Sequence, residues 1–140
     1  MNYTAYLEEV KTLNNVEQEK ALALAMHLQL QPEEDQTLDD FLSQIASTDY
    51  DPTTYTVPTG EEYLVLTNEE ADQRWEESLE NFIDEIIFPG IPNQYQQYFD
   101  TNRWKDDARI DARGHSLSSY DGNEEEQEVN GTTYYIYRTN

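Results

Sequence analysis

The segment from Thr67 to about Phe88 restricts the possible folds more than any other part of the sequence. Its apolar residues recur every three or four positions, so they lie along one face of a helix. These residues are Ala71, Trp75, Leu79, Phe82, Ile83, Ile86 and Ile87. Thr67 and Glu70 match a capping box at the start, and Pro89-Gly90 ends the helix. A helix with one apolar face has to pack against a second layer, which the rest of the chain must supply.

The second layer is predicted to be a small, largely antiparallel sheet. Residues 62–67 form an apolar run after Gly60 that is typical of a strand. Near the end of the chain, Asn130-Gly131 is the preferred type I′ turn of a hairpin, with strands at 124–129 and 132–138. In the last strand the side chains alternate, with Tyr134, Ile136 and Arg138 on one face and Thr133, Tyr135 and Tyr137 on the other. We therefore expect three strands that are covered by the Trp75 helix and end in a C-terminal hairpin.

The N-terminal part of the chain is predicted to be helical. Residues 3–30 show helical spacing of apolar side chains, and Asn14-Asn15 breaks the run into two pieces. Pro32 ends the second piece, because the residue before a proline is pushed out of the helical region. Thr37 is the expected N-cap of a further short helix over residues 38–46.

The complete pattern predicts an α+β fold with two parts. Residues 47–60 contain three of the turn-forming Pro and Gly residues and are predicted to be a connecting loop. Two further short helices are expected over residues 93–100 and 101–112. The chain is accordingly divided into an N-terminal helical lobe, residues 1–58, and an α+β body, residues 59–140.

The chain carries a large net negative charge, which limits its partners. It has 30 Asp or Glu residues against 8 Lys or Arg, a formal charge of −22 in 140 residues. Nucleic acids and anionic membranes are polyanions, so direct binding to either is not expected, and no apolar run reaches the ~18 residues of a membrane helix. Aromatic residues make up 12% of the sequence, which indicates a folded domain rather than a disordered acidic chain. The absence of cysteine excludes thiolate chemistry and fits the cytoplasm, where we expect the protein to act.

The acids are concentrated on the predicted Trp75 helix. Residues 59–100 hold 11 acids and one base, whereas residues 101–140 hold 8 acids and 5 bases. Six carboxylates recur at helical spacing and define what we call the acidic row: Glu69, Asp72, Glu76, Glu77, Glu80 and Asp84. Like-charged neighbours of this kind cost roughly 0.2–0.5 kcal/mol per pair in a helix. The row is either a solvated face that confers solubility or a surface that binds a basic protein in place of DNA or RNA.

A short cationic stripe runs against the overall sign of the chain. Lys105, Arg109 and Arg113 follow one another at steps of four, on and just beyond the helix predicted over residues 101–112. The stripe is either a contact for an external anion or a set of internal ion pairs. Internal partners are available in a neighbouring acidic face and in Asp106, Asp107 and Asp111. In so acidic a chain we favour internal pairing.

The sequence gives only weak signals for catalysis or metal binding. Gly114-His115-Ser116-Leu117-Ser118 nearly matches the nucleophile elbow G-x-S-x-G, but it lacks the final glycine and a preceding strand. We therefore predict that Gly114 is a helix C-cap followed by a turn. His27 and His115 are too far apart for a zinc-binding pair, and no acid-rich loop matches a calcium loop. No enzyme activity, metal or cofactor is expected.

Three stretches of the chain resemble small acidic proteins encoded by bacteriophages and related mobile elements. They are residues 61–67 (EEYLVLT) with 69–72 (EEAD), residues 113–117 (RGHSL) with 119–122 (SYDG), and residues 135–138 (YIYR); residues 21–28 with the following Pro32 are similar too. The resemblance covers about residues 20–30 and 60–140, and the 113–122 stretch is its most specific marker. It implies a phage origin more than a mechanism. Host-directed inhibitors of this origin, such as anti-CRISPR and antirestriction proteins, are often small, acidic and free of cofactors.

These features lead to one function hypothesis and one alternative. The hypothesis is a phage-encoded inhibitor of a host nucleic-acid-binding defence enzyme, in which the acidic row occludes a basic groove. Lys105, Arg109 and Arg113 would supply a secondary contact. The alternative is a non-inhibitory phage interaction or assembly factor that uses exposed aromatic residues, namely Tyr95, Tyr98 and Trp104. Neither the target nor the oligomeric state follows from the sequence.

Overall fold

The computed structural model describes residues 3–47, 51–110 and 112–140. It begins with three helices, α1 (Thr4–Leu13), α2 (Val16–His27) and α3 (Leu38–Leu42). The predicted break at Asn14-Asn15 is confirmed, because Asn14 takes the left-handed conformation with φ 49° and the Asn15 side chain accepts a hydrogen bond from the Gln18 N–H. The predicted cap at Thr37 is also confirmed, although α3 ends earlier than expected.

An antiparallel sheet of five strands in the order β1-β2-β3-β5-β4 forms the centre of the fold. The strands are β1 (Ala46–Ser47), β2 (Thr54–Thr56), β3 (Glu62–Leu66), β4 (Glu125–Val129) and β5 (Thr132–Arg138). The three predicted strands and the turn at Asn130-Gly131, with φ of 50° and 85°, are confirmed. The predicted total of three strands is wrong, because β1 and β2 form within or next to the segment that we expected to be a loop. Both strands are too short for an alternation of apolar and polar residues to be recognised. They are defined only by their pairing, of β2 with β3 and of β1 with β2.

Helix α4 (Asn68–Phe82) follows β3 directly and corresponds to the predicted Trp75 helix. It continues as a π-helical turn (Ile83–Ile87) and then a 3₁₀ turn (Phe88–Gly90). The wider π turn breaks the regular spacing on which the predicted apolar face depends. Ile86, which lies in this turn and which we expected on the packed face, is 61% exposed, whereas Ile83 is buried. Phe82, the last residue of α4, was also expected on the packed face and is 46% exposed.

Three shorter helices complete the fold: α5 (Asn93–Gln96), α6 (Thr101–Ala108) and α7 (Arg113–Leu117). Helix α6 is shorter than predicted, and Asp111 lies outside the described residues. The predicted C-cap at Gly114 is wrong, because this glycine lies inside α7. A Cβ at Gly114 would be 2.7 Å from the carbonyl oxygen of Gly122, so the glycine allows α7 to approach the 122–124 segment closely.

Hydrophobic clusters cover both faces of the sheet. On one face, Val65 and Ile136 pack with side chains of α1, α2 and α3. On the other face, Leu66 packs with Ala71 of α4 and with α7. The first cluster joins side chains from both sides of residue 58, where the sequence predicts a boundary between lobe and body. The described residues include no helix with the length and apolarity that crossing a membrane requires.

Candidate protein-binding surface

The first turn of α4 is fixed by the predicted capping box, which is confirmed. The Thr67 hydroxyl accepts a hydrogen bond from the Glu70 N–H at 3.3 Å, and the Glu70 carboxylate accepts one from the Thr67 N–H at 2.9 Å. The same carboxylate pairs at 2.7 Å with the ammonium of Lys20 on α2, and Lys20 is buried. Partial burial acts to raise the pKa of Glu70, but the hydrogen bonds from Lys20 and Thr67 outweigh it and lower the pKa. The start of α4 is therefore anchored to α2.

Two residues of the cationic stripe pair with the acidic row. The Lys105 ammonium lies 2.5 Å from Glu76 Oε1 and 2.9 Å from Glu80 Oε1, and Lys105 is only 7% exposed. The Arg109 guanidinium donates a hydrogen bond to Glu76 Oε2 and pairs with Asp106 at 3.2 Å. The hydrogen bond with Lys105 lowers the pKa of Glu76, and the bonds to Glu76 and Glu80 raise the pKa of Lys105. These contacts confirm the predicted internal pairing and hold α6 against α4.

Arg113 extends the internal pairing to α7 and the hairpin. Its Nη1 lies 2.7 Å from Asp72 Oδ1 on α4, and its Nε lies 2.6 Å from Glu124 Oε1. The guanidinium also lies 4.5 Å from the centre of the Tyr135 ring on β5. With its side chain only 11% exposed, Arg113 connects three parts of the fold rather than facing an external anion.

Ion pairing divides the acidic row into two groups. The first group, whose members hold the cationic stripe, is Asp72, Glu76 and Glu80. The second group, which we call the free row, is Glu69, Glu77 and Asp84. All three residues of the free row are exposed, and none forms an ion pair within the described part of the chain. Cations thus offset the repulsion expected among Asp72, Glu76 and Glu80, whereas the charges of the free row keep no cationic partner within the described residues.

Some of the other basic side chains are also held by contacts within the molecule. Among the described residues, five of the eight basic side chains form ion pairs with carboxylates. Arg74 of α4 pairs with Asp51 at 3.0 Å, and the Arg138 guanidinium lies 3.7 Å from the centre of the Tyr120 ring. Two of the paired cations, Lys20 and Lys105, are buried. The surface therefore presents carboxylates with few basic side chains between them.

The 113–122 segment is built into the fold by its small and polar residues. The Ser118 hydroxyl lies 2.6 Å from the Arg138 carbonyl oxygen, to which it donates, and 2.8 Å from Asp121 Oδ1. Gly122 has a φ of 73°, a conformation that favours glycine, and it faces Gly114 of α7. The segment is therefore attached to the end of β5 by Ser118, and Gly114 and Gly122 allow its two ends to lie close together.

His115 and Ser116 are exposed neighbours on α7. They border a cleft of about 260 Å³ that is also lined by Phe82 and Trp104. Among the described residues, no group of three or more His, Asp or Glu side chains is placed to hold a metal ion. The absence of a catalytic role for this segment stays a prediction.

The aromatic residues of the alternative hypothesis differ in their exposure. Tyr95 and Tyr98 are 55% and 76% exposed. Trp104 is half-buried and stacks on Phe82, with ring centroids 5.5 Å apart and planes 11° apart. The sequence analysis placed Phe82 and Ile86 on the packed face, but both are exposed, because helical periodicity does not specify which part of an apolar face a distant segment covers.

Comparison with models of known protein families, with curated proteins and with solved structures found no match to this chain. The resemblance to phage proteins stays a prediction.

Proposed function

We propose that the protein is an acidic inhibitor, encoded by a phage or mobile element, that occludes the basic groove of a nucleic-acid-binding defence enzyme in the host cytoplasm. One observation supports the proposal above all. Basic side chains are engaged in internal ion pairs, whereas Glu69, Glu77 and Asp84 are exposed and form no ion pair among the described residues. A surface of this kind attracts a basic groove over a long range and competes with nucleic acid for it. Anti-CRISPR or antirestriction activity is the expected biological outcome.

The internal pairs define how the acidic surface would be used. Helix α4 spans about 22 Å at 1.5 Å per residue, and it is anchored at its start by Lys20 and along its side by Lys105. Anchoring fixes the helix backbone that carries these carboxylates before a partner arrives, so less backbone freedom is lost on binding. We therefore assign partner binding to the free row, and we assign a positioning role to Asp72, Glu76 and Glu80.

The test is capture of the partner followed by competition with nucleic acid. The tagged protein is used to capture host proteins, which are identified by mass spectrometry, and a captured nucleic-acid-binding protein is then titrated with labelled DNA or RNA. The proposal expects the acidic protein to displace the nucleic acid, with an affinity that falls as salt is raised. Capture of no nucleic-acid-binding protein, or an affinity independent of salt, would refute it.

Matched variants separate the free row from general charge. The triple variant Glu69→Gln, Glu77→Gln and Asp84→Asn should weaken partner binding about tenfold or more. The control removes the same charge at three exposed residues of the loop between α2 and α3: Glu33→Gln, Glu34→Gln and Asp35→Asn. Equal losses in the two triples would show that total charge, and not the free row, determines binding.

The alternative, a non-inhibitory phage interaction or assembly factor, is supported by the exposure of Tyr95 and Tyr98. Exposed tyrosines are common anchors at protein interfaces. The same capture experiment distinguishes it, because phage structural or replication proteins would be recovered instead of a host nuclease or effector. Serine substitution of both tyrosines should then abolish capture, whereas neutralising the free row should have little effect.

A further inference from the structure

The C-terminal end of α4 exposes apolar side chains beside carboxylates. Phe82 and Ile86 are 46% and 61% exposed, although both belong to the apolar stripe of the helix. They line a cleft of about 390 Å³, and the other residues of its lining are Arg74, Glu77, Ser78, Asn81 and Glu85. We call this surface the α4 cleft. Leaving large apolar side chains in water costs free energy, so a partner that covers them would gain by binding here.

The aromatic wall of the α4 cleft is held in place. Phe82 stacks on Trp104 of α6 with ring centroids 5.5 Å apart, and α6 is tied to α4 by Lys105. Phe82 also lines the second cleft of about 260 Å³ beside Trp104. A binding wall fixed in this way loses little conformational freedom when it is covered.

The charges around the α4 cleft indicate what would cover it. Glu77 and Glu85 are exposed at its edge, and the one cation in its lining, Arg74, is paired with Asp51. A purely apolar occupant would desolvate the carboxylates without pairing them, which is costly. A second copy of this chain would bring another −22 of charge against the same acidic surface. A segment that carries both apolar and cationic side chains satisfies both parts of the cleft.

We propose that the α4 cleft docks a basic amphipathic segment of the partner protein, with an apolar side chain beside Phe82 and Ile86 and with Lys or Arg side chains on Glu77 and Glu85. The identity of the partner as a nucleic-acid-binding protein rests on the proposed function. The docking chemistry itself is independent of that identity. Bulk charge attracts the partner, and the apolar contact gives the complex a specific position on the acidic surface.

The test uses two synthetic helical peptides as probes. One carries Lys and Leu at helical spacing, and the other is identical except that every Leu is replaced by Gln. Calorimetry or fluorescence anisotropy at about 0.15 M salt, where the screening length is ~8 Å, limits the contribution of distant charge. The wild-type protein should bind the Lys-Leu peptide at least about tenfold more tightly than the Lys-Gln peptide. Equal affinity for the two peptides overturns the proposal.

Single-residue variants locate the site. Ile86→Ser should weaken binding of the Lys-Leu peptide about tenfold, since it removes an exposed apolar contact without disturbing the core. Leu13→Ser on α1, which is 52% exposed, is the matched control and should have no effect. Glu85→Gln should weaken both peptides, and Glu8→Gln on α1 should weaken neither. If Ile86→Ser and Leu13→Ser bind the Lys-Leu peptide equally well, the docking site is wrong. It is also wrong if the wild-type chain self-associates and Ile86→Ser abolishes that self-association.

The failure of this inference and the failure of the proposed function are distinguishable. If Ile86→Ser combined with Glu85→Gln still captures the nucleic-acid-binding partner at wild-type strength, the docking site is wrong and the inhibitory function stands. If the wild-type chain displaces no nucleic acid but binds the Lys-Leu peptide at the α4 cleft, the function is wrong and the docking chemistry stands.

Discussion

Replacing Gly114 by alanine should destabilise the protein, although alanine is the better helix former. Gly114 lies in α7, and a Cβ built there meets the Gly122 carbonyl oxygen at 2.7 Å, the Asn123 carbonyl carbon at 2.8 Å and the Glu124 amide nitrogen at 2.9 Å. All three atoms belong to the backbone. The added methyl group therefore cannot be accommodated by rotating a side chain, and α7 or the 122–124 segment has to move.

The size of the effect follows from two opposing contributions. Alanine in place of glycine favours a helix by about 1 kcal/mol, whereas overpacking a close contact costs about 1–3 kcal/mol, and immovable backbone places this site at the upper end. The net loss is about 2 kcal/mol of unfolding free energy, which lowers Tm by roughly 6–10 °C in a domain of this size. Displacement of α7 would also weaken the Arg113 pairs with Asp72 and Glu124.

Urea and thermal unfolding of matched alanine variants check this prediction. Gly90→Ala is the control, because a Cβ at Gly90 has nothing within 4 Å and its φ is not in the left-handed region. That variant should equal or slightly exceed the wild type in stability, by up to about 1 kcal/mol. If Gly114→Ala proves as stable as Gly90→Ala, the close approach of α7 to the 122–124 segment is incorrect.

Three further predictions concern titratable groups. Lys105→Met should lower the unfolding free energy at neutral pH by about 1–3 kcal/mol, because two charge-assisted hydrogen bonds are lost, and urea unfolding measures this. Glu70→Gln should cost about 1–2 kcal/mol at pH 7. Because the folded pKa of Glu70 lies below its ordinary value of 4.5, the difference between this variant and the wild type should shrink as pH falls below 4.5. Burial raises the pKa values of Tyr55, Tyr134 and Tyr137 above the ordinary 10.0, so their contribution to stability should be lost as pH rises past 10, and their ultraviolet tyrosinate signal should appear only with unfolding.

Each of these predictions has a result that contradicts it. The exposed Lys11→Met on α1 is the control for Lys105→Met, and equal stabilities of the two variants would mean that the contacts between α6 and α4 contribute nothing. A difference between Glu70→Gln and the wild type that stays constant down to pH 3 would show that the charge of Glu70 is irrelevant. Smooth ionisation of every tyrosine while circular dichroism stays native would contradict the burial of the three rings.

Several features could be read from the sequence because they depend on neighbouring residues. Asn14-Asn15 ends one helix and begins the next, Thr37 and Thr67 cap their helices, and Asn130-Gly131 forms the hairpin turn. In each case the side chain or the backbone conformation of the named residue satisfies groups a few positions away. All the residues that determine such a feature lie within a short stretch of sequence, so the feature can be predicted from that stretch alone.

Other features could not be read from the sequence because their partners are distant in the chain. Strand β2 is defined by pairing with β3, not by an apolar period of its own. Gly114 looks like a helix C-cap until the 122–124 segment is seen to pack on it. The sequence does not distinguish the members of the acidic row, but in the structure the cations of α6 and α7 pair with only three of its six carboxylates.

By itself the sequence determined the sign and size of the charge, the start of α4, the hairpin and the spacing of the cationic stripe. The tertiary structure alone decided that Lys105, Arg109 and Arg113 pair with Asp72, Glu76 and Glu80, whereas Glu69, Glu77 and Asp84 form no ion pair among the described residues. It also decided that Phe82 and Ile86 lie at the surface and line a cleft with Glu77 and Glu85. The physical reason is that local periodicity specifies the face of a helix on which a side chain lies, whereas packing of remote segments specifies what that face meets.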